Sequence, residues 1–381
     1  MKPTDFKRPA SSLAVALHRN APMKLSKIAV ALLTVISVGC ANKNSAAPIQ
    51  TQVAAPQVMA TSASTNSSNT ATMLSSQGRD PAAFPAYVEQ LKTQARVNGI
   101  SDATLNVAFA NIHFVDRVIQ SDRNQLEKKV TLDDYLAKVL TANRIKQGKE
   151  NYQRYRPQLS QVTARYGVPE RYIVALWGLE SSFGKIQGKE DVISALSTLA
   201  FEGRREAFFT QELMAALQII QQGKVEDRQL KGSWAGAMGQ SQFMPSSFLT
   251  YGADGDGDGK IDIWNNIDDV FASTANYLST EGWQPDIGWG QEAQLPAGFN
   301  VALAGLKDKQ AKTVAQWQQL GVTPIPVGKV ANPGLRAWVV IPDDIQGRAF
   351  LVYDNFRTIM HWNRSYYFAI SIGMMADSIS Q

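Results

Sequence analysis

The sequence of 381 residues predicts a mainly α, α+β fold, and three observations carry that expectation. Apolar residues recur at helical spacing, with capping and stop residues, from about residue 80 to Gly282. One of these stretches, Val168–Gly184, is apolar along a whole face and ends that face on a carboxyl group. Past Gly282 the chain turns to short β-prone runs cut by Gly and Pro, which indicate a small strand-containing part.

The first residues belong to none of these elements. Met23-Lys24-Leu25-Ser26-Lys27 is a basic segment before a twelve-residue apolar run, Ile28 to Gly39. Such a run is too short to span a bilayer as a helix and reads as a signal. The one cysteine, Cys40, follows it between Gly39 and Ala41, so 1–39 looks like a lipoprotein leader with Cys40 as the lipidated residue. Ser37 departs from the usual Leu of that signal, and an ordinary secretory leader with a chance cysteine is the alternative. Ala41 favours the outer membrane, which gives a periplasmic, lipid-anchored protein. A single cysteine also excludes an internal disulfide framework. From Asn44 to Gly78 there is no charged residue, and Ser, Thr, Ala, Asn and Gln dominate. That composition cannot offset its own ordering entropy, so 40–79 reads as a flexible tether.

The charge balance removes one class of partner. The formal net charge is +5, but 1–39 hold six basic residues and one acid, and removing them leaves 32 of each sign. A neutral remainder has no electrostatic footprint for nucleic acid.

The folded part, 80–381, opens near Asp80-Pro81. Phe84, Val88, Leu91 and Ala95 predict a helix that Asn98-Gly99 stops. Ser101 caps a second helix, and Thr131 with Asp133 and Asp134 opens a longer one with a stripe of Leu132, Tyr135, Leu136, Val139 and Leu140. Gly167 breaks this region. In the next helix Pro169 suits the first turn and Gly184 the left-handed end. Ile173, Leu176, Trp177 and Glu180 share one face. A carboxyl ending an apolar stripe is half desolvated, which raises its pKa toward what a general acid needs. The bland alternative is a solvated or salt-bridged Glu. Helices follow over Ile193–Leu199 and Ala207–Gln221, then a Gly-, Ser- and Gln-rich stretch from Lys231 to Ser247. Phe299–Leu303, Leu335–Ile341 and Phe350–Tyr353 are the β-prone runs, and Tyr366 to Ile379 is a final helix.

Asp254-Gly255-Asp256-Gly257-Asp258-Gly259-Lys260-Ile261-Asp262 matches the first half of an EF-hand: oxygen ligands at positions 1, 3 and 5, glycine at 6, a backbone carbonyl at 7. Asn265 stands where the bidentate Glu belongs. A solvated Asp-Gly turn is the alternative to a structural Ca2+ site.

Glu180-Ser181-Ser182-Phe183-Gly184 and Gly236-Ala237-Met238-Gly239-Gln240-Ser241-Gln242-Phe243-Met244-Pro245-Ser246-Ser247 together resemble the two signature blocks of lytic transglycosylases, in particular the membrane-bound lytic murein transglycosylase B family. The resemblance runs from about Phe84 to the C-terminus. It implies a lysozyme-like helical catalytic core with an added helical region. It also implies Glu180 as sole acid and base, and cleavage of the β-1,4 bond between N-acetylmuramic acid and N-acetylglucosamine with a 1,6-anhydromuramyl product. Carried over by motif, Arg204, Arg205, Ser233, Met238, Gln242, Phe243, Tyr277, Trp362 and Asn363 line a saccharide cleft. The family carries Tyr where this chain has Trp362. In the acidic loop the implied metal ligands are Asp254, Asp256, Asp258, the Lys260 carbonyl, Asp262 and, in a lengthened loop, Asp268. The implied partners are peptidoglycan glycan strands, the outer membrane through the anchor, and other cell-wall enzymes, with no nucleic acid. A hydrolytic muramidase is the first rival and needs a second carboxylate, for which Glu190, Asp191 and Glu202 are candidates. A non-catalytic, calcium-dependent peptidoglycan-binding protein is the other.

Overall fold

The computed structural model describes residues 78–124, 130–224, 230–326 and 332–381; the leader, Cys40 and all but the end of the expected tether lie outside them. Arg79 pairs with Glu206 at 2.6 Å and lies over the Tyr87 ring, and Asp80 accepts from Ala82 N to cap a 3-10 turn at Pro81–Ala83.

The helices form where the caps predict them. α1 (Phe84–Val97) buries Phe84, Val88, Leu91 and Ala95, and Ser101 accepts from Thr104 N to open α2 (Asp102–Ala108). α3 (Asp116–Asn124) follows. Thr131 accepts from Asp134 N and starts α4 (Leu132–Val139), which is shorter than its sequence stripe. Thr141 offers a second cap and restarts the chain as α5 (Ala142–Arg154), and Pro157 in the first turn of α6 (Arg156–Tyr166) imposes a further break. Gly167, at φ 71°, closes α6 in the left-handed region.

α7 (Glu170–Ser181) is the axis of the core. Tyr172, Ile173, Val174, Ala175 and Leu176 are each at most 1% exposed, so the helix is buried nearly all round. β1 (Glu190–Asp191), α8 (Val192–Glu202) and α9 (Glu206–Gln221) come next, and β1 pairs antiparallel with β2 (Lys231–Gly232). α10 (Pro245–Tyr251) and α11 (Ile267–Thr280) complete the part that surrounds α7.

A five-stranded antiparallel sheet follows, from β3 (Gly290–Gln294), β4 (Lys312–Thr313), α12 (Val314–Gln319), β5 (Thr323–Pro324), β6 (Arg336–Val340) and β7 (Ala349–Val352), in the strand order β4-β6-β7-β3-β5. The unbroken apolar runs of β6 and β7 have a structural reason: both faces are covered. Trp338, Val340, Phe350 and Val352 join the main core, whereas Ala337, Val339 and Leu351 pack with Trp317 of α12. The Phe299–Leu303 run is no strand. Asn300 accepts from Ala302 N and turns Val301–Leu303 into a 3-10 helix. α13 (Asp354–Trp362) and α14 (Tyr366–Ile379) return the chain to α7. The fold is mainly α with a small sheet, as the periodicities predict, and no described helix is long and apolar enough to cross a membrane.

Candidate active site

Local structure first fixes the end of α7. Pro169 sits one position outside the helix, as its N-cap, with extended backbone. At the other end Ser182, Phe183 and Gly184 all take positive φ, at 51°, 60° and 80°. A left-handed non-glycine residue costs roughly 1–2 kcal/mol, so the surroundings must hold this turn. They do so through Gly178, which leaves room for the Phe183 ring: a Cβ there would come within 2.7 Å of it. Ser181 Oγ accepts from Gly184 N at 3.0 Å, and Phe183 packs edge-on to Trp177. The turn stops the helix with Glu180 in its last turn.

Glu180 is 6% exposed and lines a cavity of about 310 Å³. Burial pushes its pKa from 4.5 up to about 8, against the opposing pull of one hydrogen bond from Trp362. The negative end of the α7 dipole acts in the same direction as burial. Trp362 Nε1 donates to Glu180 Oε1 at 2.8 Å. The Trp362 ring is itself held between Phe243 and Tyr277, at centroid distances of 5.2 and 4.7 Å. A buried carboxyl with a near-neutral pKa in a concave site is suited to proton transfer.

Of the cleft residues expected from sequence, Arg205, Gln242, Phe243, Tyr277, Trp362 and Asn363 line this cavity with Glu180. Arg204, Ser233 and Met238 do not. Arg204 is ion-paired to the buried Asp122, which also binds Arg205 at 2.6 Å. Ser233 is 3% exposed and uses its hydroxyl to accept from Ala237 N, closing the turn after β2. Met238 is fully buried behind the wall, with its backbone bridged to Phe243. Three buried polar atoms in the lining have no partner among the described residues: Gln242 Oε1, Asn363 Oδ1 and Arg205 Nε. Two acceptors and a donor left unpaired at a cavity wall are groups that a polar ligand would satisfy. Gln242 also holds a positive φ of 51° while its amide nitrogen donates to Gly239 O at 2.8 Å.

Of one wall, sequence reasoning found only Arg205. Arg205, Phe208, Phe209 and Glu212 stand at i, i+3, i+4 and i+7 along the start of α9 and all face the cavity. The spacing was there to be read. Glu212 is the second carboxylate in the lining, and both its oxygens are engaged, by Ser246 N at 2.9 Å and Ser246 Oγ at 2.7 Å. None of Glu190, Asp191 and Glu202 lines the cavity. Glu190 pairs with Arg117, Asp191 caps α8 and binds Lys231, and Glu202 pairs with Arg123.

The acidic loop is a separate site. Asp254, Asp256 and Asp269 each offer a carboxylate oxygen, all within 4.8 Å of one another. Asp258 turns instead to Lys260 N at 2.8 Å, and Asp262 closes the turn onto Trp264 N and Asn265 N. Asp269, rather than Asp268, is the helical acid in the group; it is fully buried and accepts from Gly255 N and Asp262 N, both at 2.7 Å. Asp268 lies close enough to Asp256 for that charge, after burial, to raise its pKa. An all-oxygen carboxylate set on a glycine-rich loop fits a hard cation such as Ca2+.

Comparison with known proteins agrees on one family. The family model described as "Transglycosylase SLT domain" matches residues 83–377. Membrane-bound lytic murein transglycosylase B of Escherichia coli K12 is 32% identical over 259 residues, which span 65% of this chain and 66% of that protein. SltB3 of Pseudomonas aeruginosa, crystallised with NAG-anhNAM-pentapeptide, superposes with a TM-score of 0.74 at 40% identity, over 78% of this chain and 79% of that one. Escherichia coli Slt35 in complex with calcium gives 0.65 at 28% identity, over 77% and 92%.

Proposed function

This chain belongs to the transglycosylase SLT domain family, and from that membership we propose that it is a lytic transglycosylase of peptidoglycan with Glu180 as its only acid and base. The observation that carries the reading is the state of Glu180: buried, on the wall of a largely aromatic cavity, raised to about 8 and met by a single N–H donor. Neutral Glu180 gives its proton to the glycosidic oxygen as the C1–O bond breaks and the bonding pair goes to that oxygen. The resulting carboxylate takes the proton of the muramyl C6 hydroxyl as O6 bonds to C1. The products are a free 4-hydroxyl on N-acetylglucosamine and a 1,6-anhydromuramyl end, with no water consumed. SltB3 was crystallised with both NAG-NAM-pentapeptide and its anhydro counterpart, which supports this substrate and product class. Gln242, Asn363 and Arg205 would bind hydroxyl and acetamido groups of the sugars, while the Phe243–Tyr277–Trp362 cluster offers apolar surface to their rings.

The acidic loop takes a structural role in this proposal, with Asp254, Asp256 and Asp269 holding Ca2+, the ion named for Slt35. It supplies loop rigidity and no chemical step. Location follows from the leader: Cys40 carries a lipid that anchors the protein to the outer membrane on the periplasmic side. Cys40→Ser should then release a soluble, active enzyme, and wild-type protein that never takes up labelled fatty acid would remove the anchor.

Product masses test the central claim. Digested peptidoglycan should yield muropeptides lighter by one water than lysozyme-type products. Reducing muramic acid as the primary product would make water the acceptor and the protein a muramidase. Glycan binding without any cleavage would leave a calcium-dependent binding protein.

A further inference from the structure

This inference rests on the reading of Glu180 as the acid and base, and concerns which of its two oxygens carries the proton. Trp362 closes α13 and is clamped between Phe243 and Tyr277, so its indole has one orientation. That orientation aims Nε1–H at Glu180 Oε1 from 2.8 Å. Glu180 Oε2 has no hydrogen-bond partner among the described residues. An indole nitrogen is a donor only, with no lone pair to accept a proton and no accessible titration. A hydroxyl in its place would serve either way. Were Oε1 the protonated oxygen, it would be a much poorer acceptor for that N–H than a carbonyl oxygen.

We infer that Trp362 is a positioning residue that fixes the proton of Glu180 on Oε2, the oxygen left to the cavity. The acid then presents one defined O–H to substrate, and the same oxygen is vacant to take the C6 hydroxyl proton in the second half of the reaction. The atoms balance: the Oε2 proton leaves with the N-acetylglucosamine oxygen, and the O6 proton restores it. Oε1 keeps its N–H partner throughout. As charge develops on the carboxylate, that bond becomes charge-assisted, roughly twice as strong as a neutral one. An interaction that strengthens toward the transition state speeds the step.

The test removes the N–H and leaves the ring. Site-specific replacement of Trp362 by benzothienylalanine, which has sulfur for the N–H, preserves shape and packing; Trp362→Phe is the simpler companion. Arg205 and Glu212 on α9, Tyr277 on α11, and His361 and Arg364 at the end of α13 share the cavity and stay unchanged, so a moved limb in the pH profile reports Glu180. With glycan oligomers as substrate, the isostere should lose about 10- to 100-fold in kcat with KM altered less than about twofold. Its alkaline limb should move up by about one pH unit, because the carboxylate has lost a donor. An isostere with wild-type kcat and an unmoved limb overturns the inference, as does a loss confined to KM, which would make the ring a stacking surface alone. Failure of the underlying reading looks different: Glu180→Gln would then keep its activity, whereas failure of this inference alone leaves Glu180→Gln inactive beside a normal isostere.

Discussion

The same functional group, a carboxyl, is pushed in opposite directions at the two ends of this site-bearing half of the chain. Glu180 is buried with one donor and rises to about 8. Asp254 is half-buried, accepts from Gly259 N and Gly257 N, and is held below its ordinary value chiefly by the first of these bonds. Burial first, and then the supply of backbone N–H donors, separates them. Gly257 and Gly259, both left-handed, turn their amides onto the Asp254 carboxylate and favour its charged form. The end of α7 gives no amide to Glu180, and the carboxyl holds its proton. One functional group is thus tuned toward charge at Asp254 and toward a held proton at Glu180 by burial together with the donors it meets.

The largest break in that comparison is Glu180→Gln. The amide keeps size and hydrogen bonding and cannot deliver or accept the proton. Activity should fall by about 10²–10⁴-fold, read as release of anhydromuropeptides, with the fold and glycan binding retained.

The second effect is on stability, and its sign is opposite to that of an ion-paired acid. Because the folded pKa is above the unfolded one, folded Glu180 holds a proton that the unfolded chain has lost between about 4.5 and about 8. Stability is fully present below about pH 4.5 and declines as pH climbs through that window, by up to about 1.4 kcal/mol per unit. Removing the group should flatten the decline. Glu180→Gln should therefore melt later than wild type at pH 8 and near it at pH 5. A parallel pair of melting curves across that range would mean that Glu180 is not desolvated. The enzyme itself should lose kcat/KM above about pH 8, where the acid is spent.

What was legible in the sequence follows from distance along the chain. The α7 stripe and its terminal acid are local, so spacing alone found them. The donor to that acid is 182 residues away and arrives only because α13 packs back onto the core. Chain spacing carries no signal of it. Of the α9 wall, equally local, only Arg205 was picked out; Phe208, Phe209 and Glu212 lie in a run that the sequence marks simply as a helix. In the acidic loop, Asp268 and Asp269 differ by one residue, about 100° around a helix. The family resemblance pointed to the first, and the position of α11 puts the second into the carboxylate group. Val301–Leu303 shows the same limit at smaller scale, where one Asn side chain outweighs β propensity.

A third prediction returns to the loop. If Asp254, Asp256 and Asp269 hold Ca2+, the melting temperature should rise with calcium, and saturation at 100 times Kd adds about 2.7 kcal/mol. Asp256→Asn is the mild probe, because Asp256 is exposed and keeps its shape. Most of the calcium response should disappear, with activity near wild type in calcium-free buffer under mild conditions. An undiminished response would move the ion away from Asp256.

The smallest expected effect is also the control on the whole comparison. Glu190→Gln with Asp191→Asn removes two of the carboxylates that a hydrolytic mechanism would recruit. Neither lines the cavity; Glu190 is engaged by the exposed Arg117, and Asp191 caps α8 through Ser194 N at 2.8 Å. Asn is as good a cap as Asp, and an exposed ion pair is worth roughly 0–1 kcal/mol, so the fold should be little disturbed. With one carboxyl serving both proton transfers, the double variant should keep most of its activity and an unchanged product mass. A loss as deep as that of Glu180→Gln, in a protein that still melts normally, would instead reveal a second working carboxylate. The contrast between a buried acid working alone and the amide-held Asp254 would then no longer describe the catalytic end of the molecule.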